Sequence, residues 1–484
     1  MVSPSLKSST IASVGWKLFE KGGRAVVELV VQIVMARILA PEQFGALAVI
    51  LAFVNIGNVF VQSGLNTALV QTSDMDDDDC STVFWLSFAI SLAMYAILFL
   101  VAPFIEDNFD FGEIVWPIRV LGLVFLLNSL NAVQVAIVQR NLQLHKVFKA
   151  TLSAVLMSGC LGIALSLAGA GLWALVCQQL CYVAVNCLVM FLQVDWKPKA
   201  VFVSSRAREL FSFGWKILAA ALLEQGYQGI SDLVVGRKFD SAALGFVSQG
   251  KKYPQALGMV LDGAIQPVML SAVSRVQGDL FVVKRLARRA LKTSTYFVFP
   301  VMTFFAVAAE PVVRVVLGEQ WIPCVPYFQV YCFIYALLPI HSTNLQVLNG
   351  IGRSDLFLKF ELIRKSYAFA LLMLAALLSS DPIWIAGCYA LANIISTFVN
   401  MWPINRLVGY TYGEQLRDFA PAVALSVVSG AAAWAVGSIV DWPLAAALFQ
   451  AGIMAFLYLG LSVLFKVESF RYIKLTLTDL VRNQ

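Results

Sequence analysis

Apolar runs of roughly twenty residues recur from one end of this chain to the other, each closed by a turn or a charged cluster, and they constrain the fold more than any single motif. A hydrocarbon layer about 30 Å thick takes about 20 helical residues to cross. Inside it every backbone N–H and C=O must find a partner within the protein, which leaves helices as the structure for runs of this length. The runs place spans near residues 11–39, 43–68, 81–102, 115–138, 149–168, 172–193, 210–235, 241–268, 290–309, 326–349, 361–379, 382–404, 418–440 and 443–465. The expectation is an all-α polytopic membrane protein of about 14 transmembrane helices. Composition points the same way, because 60% of the 484 residues are hydrophobic and 13% charged, where a soluble domain carries about 25% charge. No stretch of 100 residues falls outside the runs, so a large extramembrane catalytic domain is excluded.

A net charge of +6 would suggest a nucleic-acid partner in a soluble protein, but here the bases sort by side. With the N-terminus in the cytoplasm, 24 of the 35 Lys and Arg residues fall in cytoplasmic connections. Four, Arg37, Arg237, Lys238 and Arg314, fall on the opposite side, and seven remain within spans. That asymmetry is the positive-inside signature of an even number of spans with both termini cytoplasmic, and it removes the nucleic-acid reading. Six of the cytoplasmic bases, Arg275, Lys284, Arg285, Arg288, Arg289 and Lys292, share one connection. The acidic run Asp74 and Asp76 to Asp79 lacks calcium-loop spacing and reads as a solvated loop. No removable signal peptide is expected, since Lys17, Glu20, Lys21, Arg24 and Glu28 interrupt the first apolar run. The eight cysteines include no CxxC pair and His145 and His341 are the only histidines, so neither a structural disulfide nor a metal site is expected.

The chain also repeats itself. Gly15-Trp16-Lys17 recurs as Gly214-Trp215-Lys216, and Arg37 with Phe44-Gly45 recurs as Arg237 with Leu244-Gly245. Arg140 and Lys146 match Arg353 and Lys359, each pair followed by a span, a short turn and a Trp, Trp173 or Trp384. Matches in one order at nearly one offset imply two related halves of six spans. Six is even, so the halves enter the membrane in the same orientation and their pseudo-twofold axis runs along the membrane normal, with a cleft expected between two lobes. The expected organisation is an N-lobe at 1–203, a C-lobe at 204–410, two extra C-terminal helices at 411–465 and a cytoplasmic tail at 466–484.

A charge at the bilayer centre costs at least about 2.5–3.5 kcal/mol and is retained where it meets a partner or a water-filled cavity. Setting aside charges near span ends that are counted with the connections, twelve charges lie within the spans, and eleven of them fall on spans one, seven and eight. Lys17, Glu20, Lys21, Arg24 and Glu28 occupy an arc of about 100° on the first span. Glu224, Gln228 and Asp232 stack at i, i+4 and i+8 on the seventh, and Lys251, Lys252, Gln255, Asp262 and Gln266 share a face of the eighth. Span two adds Asn55, Asn58 and Gln62. Lys17 and Lys216 can also snorkel to the interface. Arg119, near the outer end of span four, reads equally as an interface anchor or a cleft base, and the acids read equally as counter-charges or coupling-ion sites. The run Gly245 to Lys252 matches G-x-x-x-x-G-K but lacks the terminal hydroxyl and a preceding strand, so it is not a nucleotide loop and ATP is not expected as the energy source. No G-x-S-x-G, H-E-x-x-H or paired catalytic carboxylates appear in a soluble segment, and an enzyme is not expected.

The run Ala36-Arg37-Ile38-Leu39-Ala40-Pro41-Glu42-Gln43-Phe44-Gly45-Ala46-Leu47, followed by Ser63-Gly64-Leu65-Asn66-Thr67-Ala68-Leu69-Val70-Gln71, resembles the opening of the Wzx-type polysaccharide exporters of the multidrug/oligosaccharidyl-lipid/polysaccharide (MOP) superfamily. Gly171-Leu172-Trp173-Ala174-Leu175-Val176 and the stretch from Gln266-Pro267 to Ser274-Arg275 resemble further family positions. The similarity is to the colanic-acid and teichuronic-acid type. It implies a V-shaped transporter of the bacterial cytoplasmic membrane that flips an undecaprenyl-pyrophosphate-linked oligosaccharide from the cytoplasmic to the outer leaflet by alternating access, alongside a polysaccharide polymerase. An anionic pyrophosphate suits a desolvated cleft carrying Lys21, Arg24, Lys216, Lys251, Lys252 and Arg119. Glu28, Glu224, Asp232 and Asp262 are then candidate sites for coupling to an H+ or Na+ gradient or to the membrane potential, with no cofactor. A peptidoglycan-precursor flippase would share this chemistry, whereas a multidrug cation antiporter would want an acid-dominated cleft. The charge bias makes a direct prediction: a cytoplasm-active reporter fused after residue 466 and an exterior-active reporter inserted within 310–325 both give signal, and the opposite pattern inverts the topology.

Overall fold

The computed structural model describes residues 27–62, 66, 69–70, 75–141, 143–263 and 266–472. Among these every regular element is helical. The Lys17, Glu20, Lys21 and Arg24 part of the first polar stripe lies outside the described residues. Contacts divide the chain into two compact units, Met1–Gly245 and Phe246–Gln484.

The first unit contains α1 (27–38), α2 (Pro41–Gln62), α3 (Asp77–Asn108), α4 (Val115–Gly122), α5 (Val124–Arg140), α6 (Leu144–Leu167), α7 (Leu172–Gln193) and α8 (Ser204–Lys238). α2 opens on a proline, whose missing N–H costs nothing in a first turn. It is the inner helix, with Val49, Ile50 and Val61 fully buried, and it packs on α5 and α8. α6 and α7 form an antiparallel hairpin. Its turn uses Gly169 at φ 78° and Gly171 at φ 57°, a left-handed backbone that glycine adopts without strain.

Of the acidic run expected as a solvated loop, Asp74 lies outside the described residues, and Asp76 to Asp79 form the capped start of α3. Asp76 accepts from the Asp79 backbone N–H at 2.8 Å while Asp79 reaches back to the Asp76 N–H, a reciprocal capping box. Arg206 pairs with Asp76, and with Asp79 at 3.0 Å, while Lys199 pairs with Asp77 at 2.7 Å. The backbone follows: the Lys199 and Val203 N–H groups donate to Ser81 and Thr82 at 3.2 Å. Four successive acids at a helix N-terminus are stabilised by the helix dipole as well as by these bases, a use the sequence reading did not assign.

Within this unit the matched segments around Gly45 and Gly245 meet each other. α1 ends at residue 38 and α2 starts at Pro41; α8 ends at Lys238 and the next helix, α9 (Ser241–Gly263), starts at Ser241. Four residues into each, Gly45 and Gly245 face the opposite helix. A Cβ on Gly45 would sit 1.8 Å from the Ser241 carbonyl oxygen, and one on Gly245 would sit 2.1 Å from that of Pro41. The relation is reciprocal, residue for residue, across the two copies. Close backbone approach of this kind replaces the hydrophobic driving force that lipid removes between membrane helices.

The second unit continues with α10 (Gln266–Ser274), α11 (Leu280–Val307), α12 (Ala309–Val316), a 3-10 turn at Glu319–Cys324, α13 (Val325–Ala336), α14 (Leu338–Gly350), α15 (Ser354–Leu378), α16 (Ile383–Val408), α17 (Tyr412–Gly437) and α18 (Pro443–Leu464). A helical turn at 468–472 closes the described chain. α11 is the hub, packed on α13, α14 and α17. Its buried Val283, Ala287, Leu291, Val298 and Met302 share one core with Ile340, Val347, Met401 and Ile404. The run expected at 326–349 breaks at Leu337 because Pro339 cannot donate to a preceding carbonyl.

Among the described residues ten helical segments are long and apolar enough to cross a membrane. Three further helices, α8, α9 and α15, coincide with the expected spans at 210–235, 241–268 and 361–379 but carry more charge.

Two predictions follow from this packing. Gly45→Leu or Gly245→Leu forces two backbones apart and lowers stability by about 2 kcal/mol or more, and the double variant costs less than the sum because both side chains fill one crossing; thermal unfolding in detergent reads both. Hydrogen bonding by Arg206, then by the Asp79 N–H, holds the Asp76 carboxyl at about 2, below its ordinary 3.8. A depressed carboxylate stabilises above the ordinary value and loses that contribution as pH falls from 3.8 through about 2. The protection of the Lys199 and Val203 amides relative to their intrinsic exchange therefore falls across that window, and Arg206→Ala moves the change toward 3.8.

Candidate functional site

Each unit carries its own polar groups on otherwise apolar helices. In the first, Glu28 is exposed on α1. Glu224 and Asp232 lie on α8, where Gln228 donates to Glu224 at 2.7 Å, so the expected i, i+4 contact is formed. Lys216 lies on the same helix. Arg119 is on α4, with its guanidinium 4.0 Å above the Phe99 ring and 5.2 Å from that of Trp116. Its Nε–H donates to the Phe99 carbonyl at 3.3 Å. The Phe99 ring and carbonyl of α3 and the Trp116 ring of α4 together hold the cation.

A ladder of amides and hydroxyls links the helices of this unit. Asn128 donates to Asn58 at 2.8 Å, Asn131 to Asn186 at 3.1 Å, and Asn186 to Thr151 at 3.4 Å. Ser91 and Ser129 pair at 3.1 Å between α3 and α5. Of these the sequence reading singled out Asn58 alone. Asn128 and Asn131, one turn apart within an apolar run, were the available signal.

In the second unit Lys251 and Lys252 are half-buried in the middle of α9. Adjacent residues point about 100° apart, so the pair spans a broad arc of the helix rather than a single line. Gly250, just before them, packs so closely on Tyr327 that a Cβ would approach its side chain to 2.7 Å. Asp262, at 2% exposure, accepts from the Ser342 hydroxyl and the Gln266 amide, and Gln346 donates to Gln266 at 3.2 Å. The structure thus gives Asp262 neutral hydrogen-bond donors from α14 and α10. A buried carboxylate needs such donors to remain in an apolar core.

Ser342 belongs to a four-residue polar run in α14, His341-Ser342-Thr343-Asn344, all buried. His341 Nδ1 meets the Asn400 amide at 3.0 Å, and Asn344 donates to Gln415 at 3.1 Å. Four consecutive polar residues inside an apolar run are conspicuous, and the sequence reading passed over all but the histidine.

The α11 bases, read above as orientation signals, are also organised. Arg288 grips Asp418 with Nε and Nη2 at 2.7 and 2.8 Å, the Tyr410 hydroxyl donates to Asp418 at 2.7 Å, and Lys292 Nζ lies 3.4 Å from it. Lys284 pairs with Glu414 at 2.8 Å and donates to the Gly409 carbonyl at 2.7 Å. Fixed guanidinium and ammonium groups of this kind recognise anions, and here the anions are the Asp418 and Glu414 carboxylates.

Comparison with known proteins agrees with this architecture. A family profile described as "Polysaccharide biosynthesis protein" matches residues 34–326. The succinoglycan biosynthesis transport protein ExoT of Rhizobium meliloti is 23% identical over 75% of this chain and 74% of its own. The lipopolysaccharide biosynthesis protein WzxC of Escherichia coli is 22% identical over 91% of this chain and 90% of its own. The teichuronic acid biosynthesis protein TuaB of Bacillus subtilis is 21% identical over 78% of each. Among solved structures the fold superposes on the lipid II flippase MurJ, inward closed, with a TM-score of 0.77 over 92% of this chain and 98% of that one at 15% identity. An inward-facing MATE multidrug transporter of the MOP superfamily matches at 0.58 over 80% and 96%, again at 15% identity. With its polar groups carried on apolar helices and a profile match spanning more than half its length, this multi-pass membrane chain belongs to the polysaccharide biosynthesis protein family of exporters and flippases and has the fold of the MOP transporters.

Proposed function

We propose that this protein flips an undecaprenyl-pyrophosphate-linked oligosaccharide repeat from the cytoplasmic to the outer leaflet of a bacterial cytoplasmic membrane, by alternating access, for synthesis of a surface polysaccharide. The observation that carries the reading is the retention of Lys251 and Lys252 half-buried in mid-helix, in a chain whose relatives serve polysaccharide export. Bases within a span are retained where they meet partners or a water-filled path, and a pyrophosphate is an anion that such bases suit. Lys21, Arg24 and Lys216 join the pair in holding the head group, and Arg119 serves at the outer end. On this reading α8, α9 and α15 cross the membrane with the ten apolar segments. Together with the first expected span they make fourteen, in two six-helix lobes plus α17 and α18, with both termini cytoplasmic.

Glu28, Glu224, Asp232 and Asp262 supply the candidate sites for coupling to H+, Na+ or the membrane potential. The reaction needs no cofactor and no ATP, and the product passes to a polymerase. The 0.77 TM-score to a lipid II flippase favours one second reading, a peptidoglycan-precursor flippase. Rescue of a strain depleted of that flippase separates the two.

Arg24→Ala abolishes polymer export at unchanged membrane abundance, and Lys251→Ala combined with Lys252→Ala lowers export about tenfold or more. Full export from either variant removes the head-group assignment. Transport in vesicles that ignores both ion gradients and the membrane potential removes the coupling role of the acids.

A further inference from the structure

Five of the bases that set topology in the sequence, Lys284, Arg285, Arg288, Arg289 and Lys292, fall at i, i+1, i+4, i+5 and i+8 on the first turns of α11, and therefore on one face. The opposite face, Val283, Ala287 and Leu291, is buried in the core. The basic face lines a cavity of about 730 Å³. Beyond the end of α18 a left-handed turn at Lys466, with φ 49°, turns the chain back over this face. Glu468 then pairs with Lys292, the Ser469 hydroxyl donates to the Lys292 carbonyl at 3.2 Å, and the Tyr472 ring lies 3.5 Å from the Arg289 guanidinium carbon.

The described ion pairs of this face use Lys284, Arg288 and Lys292; Arg285 and Arg289 are exposed beside them. Of the residues lining the cavity five are bases and two, Glu414 and Glu468, are acids, so the cavity is cationic. It adjoins a second cavity of about 1020 Å³ that shares Arg288, Lys292, Glu414, Glu468 and Ser469 and continues between α11, α17 and α18 past Leu425, Val428 and Phe465. Val428 is 56% and Phe465 68% exposed, as residues that face lipid are. Past the charged residues where the cavities join, the groove wall turns apolar at Pro421, Ala422, Ala424, Leu425, Val428 and Leu461, and an anionic head group carrying an acyl chain matches that sequence of surfaces. A nucleotide or a free phosphate would use the first cavity and leave the second empty.

We propose that this paired cavity is a binding site for an anionic phospholipid of the cytoplasmic leaflet, with its phosphate held by Arg285 and Arg289 and one acyl chain in the α11–α17–α18 groove. Arginine forks fit phosphate oxygens two at a time, and basic pockets between helices at the cytoplasmic surface suit such head groups. The site is separate from the residues assigned to the transported head group and does not depend on that assignment.

Native mass spectrometry of the full chain tests it, after incubation with phosphatidylglycerol or phosphatidylcholine vesicles that contain no sugar-bearing lipid. The wild type retains phosphatidylglycerol over phosphatidylcholine. Arg285→Gln combined with Arg289→Gln lowers that retention about tenfold. Ala424→Trp, which fills the groove from an exposed position, lowers it independently and serves where the double variant fails to fold. Millimolar inorganic phosphate leaves the lipid bound. Equal retention of the two lipids overturns the proposal, as does wild-type retention in both variants. Displacement by phosphate also overturns it and assigns the basic cavity to a free anion.

Discussion

Hydrocarbon offers no hydrogen bonds, and nearly every feature of this chain answers that one constraint. Helices satisfy the backbone within each segment, which is why the described residues are helical from α1 to the last turn. The same medium is as apolar as leucine, so it does not push apolar helices together. Cohesion has to come from close packing and from polar contacts between helices. The Gly45 and Gly245 crossing supplies the first and the asparagine ladder of α2, α5 and α7 the second.

The constraint also sorts the charges. Those at helix ends pair with carboxylates in partly exposed positions, as Arg206 does with Asp76 and Asp79, and gain order more than stability. Asp418 is buried more deeply and is held by a bidentate Arg288, a tyrosine hydroxyl and Lys292, so that no lone pair faces hydrocarbon unpartnered. Asp262 takes a third course, with a serine and a glutamine as its donors. Its donors are neutral, where those of Asp418 are mostly charged.

Much of the architecture was legible in the residues. Apolar run length marks the helices, and the matched Arg37/Gly45 and Arg237/Gly245 segments mark two copies that form the same helix, break and helix. The Glu224 and Gln228 contact was legible as well, because i, i+4 neighbours are fixed by helix geometry alone. Less legible were partners far apart in sequence. Arg206 and Asp76 are separated by 130 residues, and Arg288 and Asp418 by another 130, so no local spacing announces either pair. The acidic run looked like a loop because charge density marks solvent exposure equally well in a loop and in a first helical turn. The bases of α11 were counted by side, and counting by side discards which face they occupy.

Sequence determined the properties that depend on a residue and its near neighbours: which segments are apolar enough to be helices in a membrane, where the bases accumulate, and that two stretches about 200 residues apart carry matching residues. Tertiary structure decided what depends on distant segments meeting. It set Gly45 against Ser241, gave Asp262 the donors of α14, and folded the chain after α18 back over the basic face of α11. The physical reason is range. Hydrophobicity and helix periodicity act within a few residues along the chain, whereas a buried charge is stabilised only by whatever group the fold brings within about 3 Å of it.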